Sequence, residues 1–157
     1  MADRPSFDLA RLSTADKIIL GGSGLLFVDS FLPWQRQCGT FKLLHITLCT
    51  IKANEWGGNA SFGGVLAALL ALALLAWKIA DLSGVDLRLG VSAANVEAML
   101  VLGSVLFTIL KFFLVVGYAP TYGAWIGLIL ALTIAYGGYM KMQELKITRP
   151  PVRASGF

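Results

Sequence analysis

The sequence predicts an all-α membrane protein, a four-transmembrane-helix bundle with a cysteine-containing outer loop. Three observations carry that expectation. The chain of 157 residues is 57% hydrophobic and 14% charged, against about 25% charged in a soluble domain. Its mean hydropathy is +0.73. Its charges lie between long apolar runs and not along amphipathic faces, which is the pattern of membrane spans. The formal net charge of +4 sits at span ends, where basic side chains set orientation and meet anionic headgroups. No basic patch is interleaved with aromatics, so the expected partner is the lipid bilayer and no nucleic acid.

A cytoplasmic N-terminus, residues 1–17, leads into span one at about 18–34. The stretch "STADK" opens it: Ser13 or Thr14 can cap, and Asp16 sits in the first turn. Pro33 and Trp34 mark its far end, with the Trp at headgroup level. The run ends in "DSFLPWQRQC" without a small-x-small cleavage site, so it reads as a retained span and not a signal peptide. An outer loop covers residues 35–61. Span two, about 62–79, is "FGGVLAALLALALLAWKI". The polar loop at 80–95 contains "SGVDLRLGVSAAN". Span three, about 96–118, has Glu97 at its start and Lys111 inside it. A tight "APT" connection then leads to span four, about 122–140. The transmembrane domain thus covers 18–141. The tail at 142–157 is basic and Pro-containing, and is expected to be disordered and cytoplasmic.

Orientation follows from the basic residues. Arg4, Arg11, Lys17, Lys78, Arg88, Lys141, Lys146, Arg149 and Arg153 fall on one side of the four spans; Arg36, Lys42 and Lys52 fall on the other. The positive-inside rule puts both termini in the cytoplasm of a plasma-membrane protein. Helix association in lipid relies on close backbone approach and interhelical hydrogen bonds. Span four carries the clearest stripe for it, with Gly123, Gly127, Ala131 and Ala135 each four residues apart. Span two has Gly63, Ala67 and Ala71 on one face, beside Gly64 and Ala68. The stripes fit packing within the bundle, and they also fit a homo-oligomer or a contact in a membrane complex.

Two charges lie inside apolar runs: Asp29 in the outer half of span one and Lys111 in the outer half of span three. A charge near the bilayer centre costs roughly 2.5–3.5 kcal/mol on insertion scales, and the two residues lie at similar depth. They are natural partners for an intramembrane ion pair. They could equally be a proton, ion or substrate site, or Lys111 could snorkel alone while Asp29 meets water or Arg36. Ser104 and Thr108 share the Lys111 face, where they could hydrate it or satisfy their own backbone.

Cys38 and Cys49 are the two cysteines, both in the loop assigned outside, where a disulfide is permitted. His45 lies between them, but three soft ligands fall short of a closed zinc site, so no metal is expected. The residues of "FKLLHITLCTI" fit either a short strand pair or an interfacial helix.

The stretches "STADKIILGGSGLLFVDSFLPW" and "YGAWIGLILALTIAYGGYMKMQE" resemble an uncharacterised family of small four-span integral membrane proteins from actinobacteria. The resemblance implies the four-span architecture and a bacterial plasma-membrane location, and it supplies no activity. A looser likeness, carried by "WQRQC" followed after ten residues by Cys49, is to claudin-type four-span proteins. It reads as convergence on a disulfide-stabilised outer loop, and nothing is carried over from it.

No nucleophile–base pair, phosphate cradle or dinucleotide fingerprint is present in the sequence, so no catalysis and no cofactor is expected. The expected function is that of a non-catalytic multi-pass membrane protein, a scaffold or accessory subunit of a membrane complex. The alternative is a small oligomeric transporter or channel using Asp29 and Lys111. A thiol-redox role for Cys38 and Cys49 is a remote third, because the exchange chemistry would lack a relay.

Overall fold

Helix α1, Thr14–Asp29, starts on the cap that the sequence offers. The computed structural model describes residues 12–41, 46–58, 60–84, 91–117 and 119–148, with residues 37–41 and 46–52 as backbone only. Ser13 is extended and its hydroxyl accepts the Asp16 N–H, while the Asp16 carboxylate lies where the helix dipole favours an anion. The helix ends at Asp29 and not at Trp34, the end expected for span one. Ser30 N–H still bonds Leu26 O, and Leu32 N–H closes a turn on Asp29 O. Pro33 then forces the exit, since it has no N–H and disfavours helical backbone at the residue before it. The 16 residues of α1 cover about 24 Å, short of the ~30 Å of a hydrocarbon core.

The chain is mostly helical but not all-α, which corrects the expected class. Strand β1, Pro33–Phe41, pairs antiparallel with β2, Ile46–Asn54. Of the two conformations open for this segment, it takes the strand pair. The β-branched run of Ile46, Thr47, Thr50 and Ile51 suits a strand. Cys38 and Cys49 are direct register partners, and the register shifts between Gln37 and Cys38.

Three longer helices follow: α2, Ser61–Leu82, α3, Ala93–Val116, and α4, Tyr122–Thr148. Segments Ser61–Leu82, Ala93–Val116 and Tyr122–Ile147 are long and apolar enough to cross a membrane. Ser92 caps α3 by accepting the Asn95 N–H. Helix α4 runs past residue 140, so 142–148 of the expected tail is helical; residues 149–157 lie outside those described.

Each helix packs on its neighbours in the chain, and α4 closes back onto α1. The result is an up-down-up-down ring of four, with the β1–β2 hairpin at one end, where α4 also meets β1. The middle of the ring is apolar: Ile19, Leu26, Ala71, Leu74, Val101, Val105 and Ile134 form one buried cluster. The surface is apolar as well. Met99, Leu102, Leu106, Leu110 and Phe113 project from α3, and Trp125, Ile129, Leu132 and Tyr136 from α4. Buried polar side chains sit inside, Asp16, Asp29, Lys78, Glu97 and Lys111 among them. A water-soluble bundle has the opposite distribution.

Candidate functional site

The buried charges form two layers, one at each end of the ring. The layer away from the hairpin takes one residue from each helix: Asp16 of α1, Lys78 of α2, Glu97 of α3 and Lys141 of α4. Lys78 Nζ lies 2.5 Å from Asp16 Oδ1 and 2.5 Å from Glu97 Oε1. Lys141 Nζ donates to both oxygens of the same Asp16 at 2.8 Å. Ser13 Oγ donates to Asp16 Oδ2. Two carboxylates meet two ammoniums, so the layer is charge-balanced and ties all four helices together. In the sequence Lys78 is one of the basic residues that fall on the cytoplasmic side of the spans. It is instead an interior residue, 1% exposed.

Between the two layers lies the apolar cluster. Ser104 and Thr108 border it, both fully buried. Ser104 Oγ donates to Val101 O and Thr108 Oγ1 to Ser104 O. Both hydroxyls satisfy their own helix.

The hairpin-end layer gathers Asp29 from α1, Trp34 and Gln35 from β1, Glu55 from the turn before α2, and Lys111 from α3. All are at most 2% exposed. Glycines make room for them. A Cβ on Gly127 of α4 would collide with the Trp34 ring and lie 2.8 Å from Asp29 Oδ2. A Cβ on Gly64 of α2 would collide with the Glu55 carbonyl and lie 2.8 Å from its Cγ. Trp34 Nε1 donates to Asp29 O at 3.3 Å. Thr121 Oγ1 donates to Pro33 O, and Thr121 N–H to Trp34 O. Glu55 N–H bonds Ser30 O, and Trp56 Nε1 donates to Ser30 Oγ at 3.0 Å. Lys111 Nζ donates to Gly57 O at 3.2 Å.

The carboxylates are the anomaly. Among the described residues, neither oxygen of Asp29 and neither oxygen of Glu55 accepts a hydrogen bond, and both polar atoms of the Gln35 amide lack one as well. Buried polar groups are rarely left so. Burial pushes the Glu55 carboxyl up to about 8, with the Asp29 charge adding to the rise and the Lys111 ammonium opposing it.

Asp29 and Lys111, singled out in the sequence, therefore share one layer, and both act on Glu55, which the sequence did not single out. It sits in "NEWGG", a turn whose composition shows nothing of its burial. The Asp16–Lys78–Glu97–Lys141 layer was missed too. Its one signal was the placement of a charge near the same end of every span. Of the span-four stripe, Gly123 packs on Pro33 O and the Trp34 ring and Gly127 on Trp34 and Asp29. Ala131 is fully buried and Ala135 packs on the apolar cluster. Cys38 and Cys49 are register partners in the backbone of the hairpin. No protein-family model, no curated protein and no solved structure matches the chain.

Proposed function

We propose that the chain is a non-catalytic multi-pass protein of the plasma membrane, a scaffold or accessory subunit of a membrane complex. In this reading α1 is a fourth crossing, its 16 helical residues extended to the interface by the turn and by Pro33 and Trp34. Both termini are cytoplasmic, and the hairpin stands outside with a disulfide joining Cys38 to Cys49. The family resemblance of spans one and four points the same way.

One observation carries the role: the two charged layers are separated by an apolar plug, and the layer away from the hairpin is charge-balanced and binds all four helices. That arrangement fixes a shape and closes the ring's axis. What it offers a partner is its apolar flank. Tyr122 and Trp125 at the start of α4 and Tyr136 and Tyr139 past its middle are exposed, about 25 Å apart at the extremes, as interfacial aromatics are. The test is purification of the full chain in mild detergent with its native neighbours present. A stable heteromeric complex is expected. A lone homo-oligomer that carries ion flux in liposomes, lost on Asp29→Asn, would replace this reading with a small transporter or channel. The unpartnered Asp29 carboxylate is the observation favouring that second reading.

A further inference from the structure

We infer that the hairpin-end layer is a proton-binding site, in which Glu55 holds a proton at neutral pH and Asp29 and Lys111 set its affinity. Whether the protein is a subunit or a transporter does not bear on this; the inference rests on the layer alone.

Among the described residues the layer contains two carboxylates, Asp29 and Glu55, and one ammonium, Lys111. With all three ionised, a fully buried region would hold one uncompensated negative charge, and buried charges need partners. No described hydrogen-bond donor serves the carboxylate oxygens of Asp29 or Glu55. Lys111 can neutralise one of them. One proton neutralises the other, and the carboxyl it occupies turns from anion to neutral acid.

Among the described residues, Asp29 from α1 and Lys111 from α3 are the charges that act on Glu55. Strand β1 brings Trp34 and Gln35 to the layer, which are neutral, while α2 presents Gly64 to Glu55 and α4 presents Gly127 to Trp34 and Asp29. Glu55 is the residue of choice for the proton because it is fully buried, has no donor among the described residues at either oxygen and lies beside the Asp29 charge, and these favour the neutral acid.

The position matters for the fold. Glu55 N–H holds Ser30 O at the end of α1, and the next residue, Trp56, holds Ser30 Oγ. Phe31 stacks on Trp56 with ring centroids 5.7 Å apart. The joint between α1 and the hairpin is therefore built on the residue that titrates. Proton release places a second anion against Lys111 inside that joint.

The experiment is infrared titration of the full chain in detergent, following the C=O band of protonated carboxyls. The unaltered protein should show such a band at about pH 6 that disappears in a single-proton transition before about pH 10. Glu55→Gln should abolish it. Asp29→Asn should move its disappearance to lower pH, since the remaining acid then pairs with Lys111 alone. If a variant fails to fold, carboxyl-13C labelling of glutamate in the unaltered chain decides, and the band must shift. The inference is overturned if no protonated carboxyl is seen at neutral pH. It is equally overturned if the band is unmoved by Glu55→Gln or by the glutamate label.

Discussion

Glu55 and Lys111 change how Asp29 is understood. In the sequence, Asp29 and Lys111 are two charges in two apolar runs, and a one-to-one ion pair is the simplest account. The turn before α2 adds a second carboxylate at the same place, and the arithmetic becomes two acids to one base. The expected order of substitutions follows. Lys111→Met leaves two buried carboxylates without a cation and should cost about 3 kcal/mol or more, the range for breaking a buried pair. Asp29→Asn leaves Glu55 with Lys111 and should cost clearly less. Thermal unfolding of the two variants in one detergent decides the order. The pH dependence has a definite sign. The Glu55 carboxyl binds its proton more tightly in the fold, at about 8, than at its ordinary 4.5. Its contribution to stability is therefore full below about 4.5 and is lost as pH rises through about 8. Melting of the unaltered chain should weaken across that window, and Glu55→Gln should flatten the curve. Asp29 and Lys111 are legible in the sequence as interior charges, but Glu55 is not, because a lone Glu in a Gly-rich turn normally faces water, and tertiary burial is what makes it unusual.

At the scale of elements, the apolar runs marked α2, α3 and α4 plainly, since length and hydropathy suffice for a helix that crosses lipid. The cap at Ser13 was legible too, because capping is local chemistry. The end of α1 was not. Hydropathy runs on through Phe31, Leu32 and Trp34, whereas the backbone obeys Pro33 and leaves the helix at Asp29. The hairpin was ambiguous for the complementary reason: its residues have no single period, and pairing with a partner strand decides what local preference leaves open. The contact of α4 with α1 and β1 depends on bare backbone at Gly127. Gly127→Ala should drive a methyl into the Trp34 ring and Asp29 Oδ2, costing about 1–3 kcal/mol as overpacking does. The charge-balanced layer gives a second check. Lys78→Met strips a shared cation from Asp16 and Glu97 and should destabilise by roughly 3–5 kcal/mol, whereas Lys146→Met, at an exposed site, should change melting by about 0.5 kcal/mol or less.

For the molecule as a whole, the distribution of charge says more than any motif. A ring of helices with an apolar flank, an apolar centre and two ionic layers suits a surrounding solvent that is itself apolar. The proposed topology adds that α1 crosses with the others, so the termini and the hairpin lie on opposite sides. The most direct measurement is labelling of intact cells with a membrane-impermeant thiol reagent. Thr14→Cys and Lys146→Cys would be placed singly in a chain whose Cys38 and Cys49 are replaced by Ser, beside the unaltered chain after mild reduction. The hairpin cysteines should react in intact cells after reduction and resist alkylation before it. Thr14→Cys and Lys146→Cys should react only after permeabilisation. Labelling of Thr14→Cys from the same side as the hairpin would contradict it, because α1 would then lie on the membrane and the four-span bundle would be a three-span one.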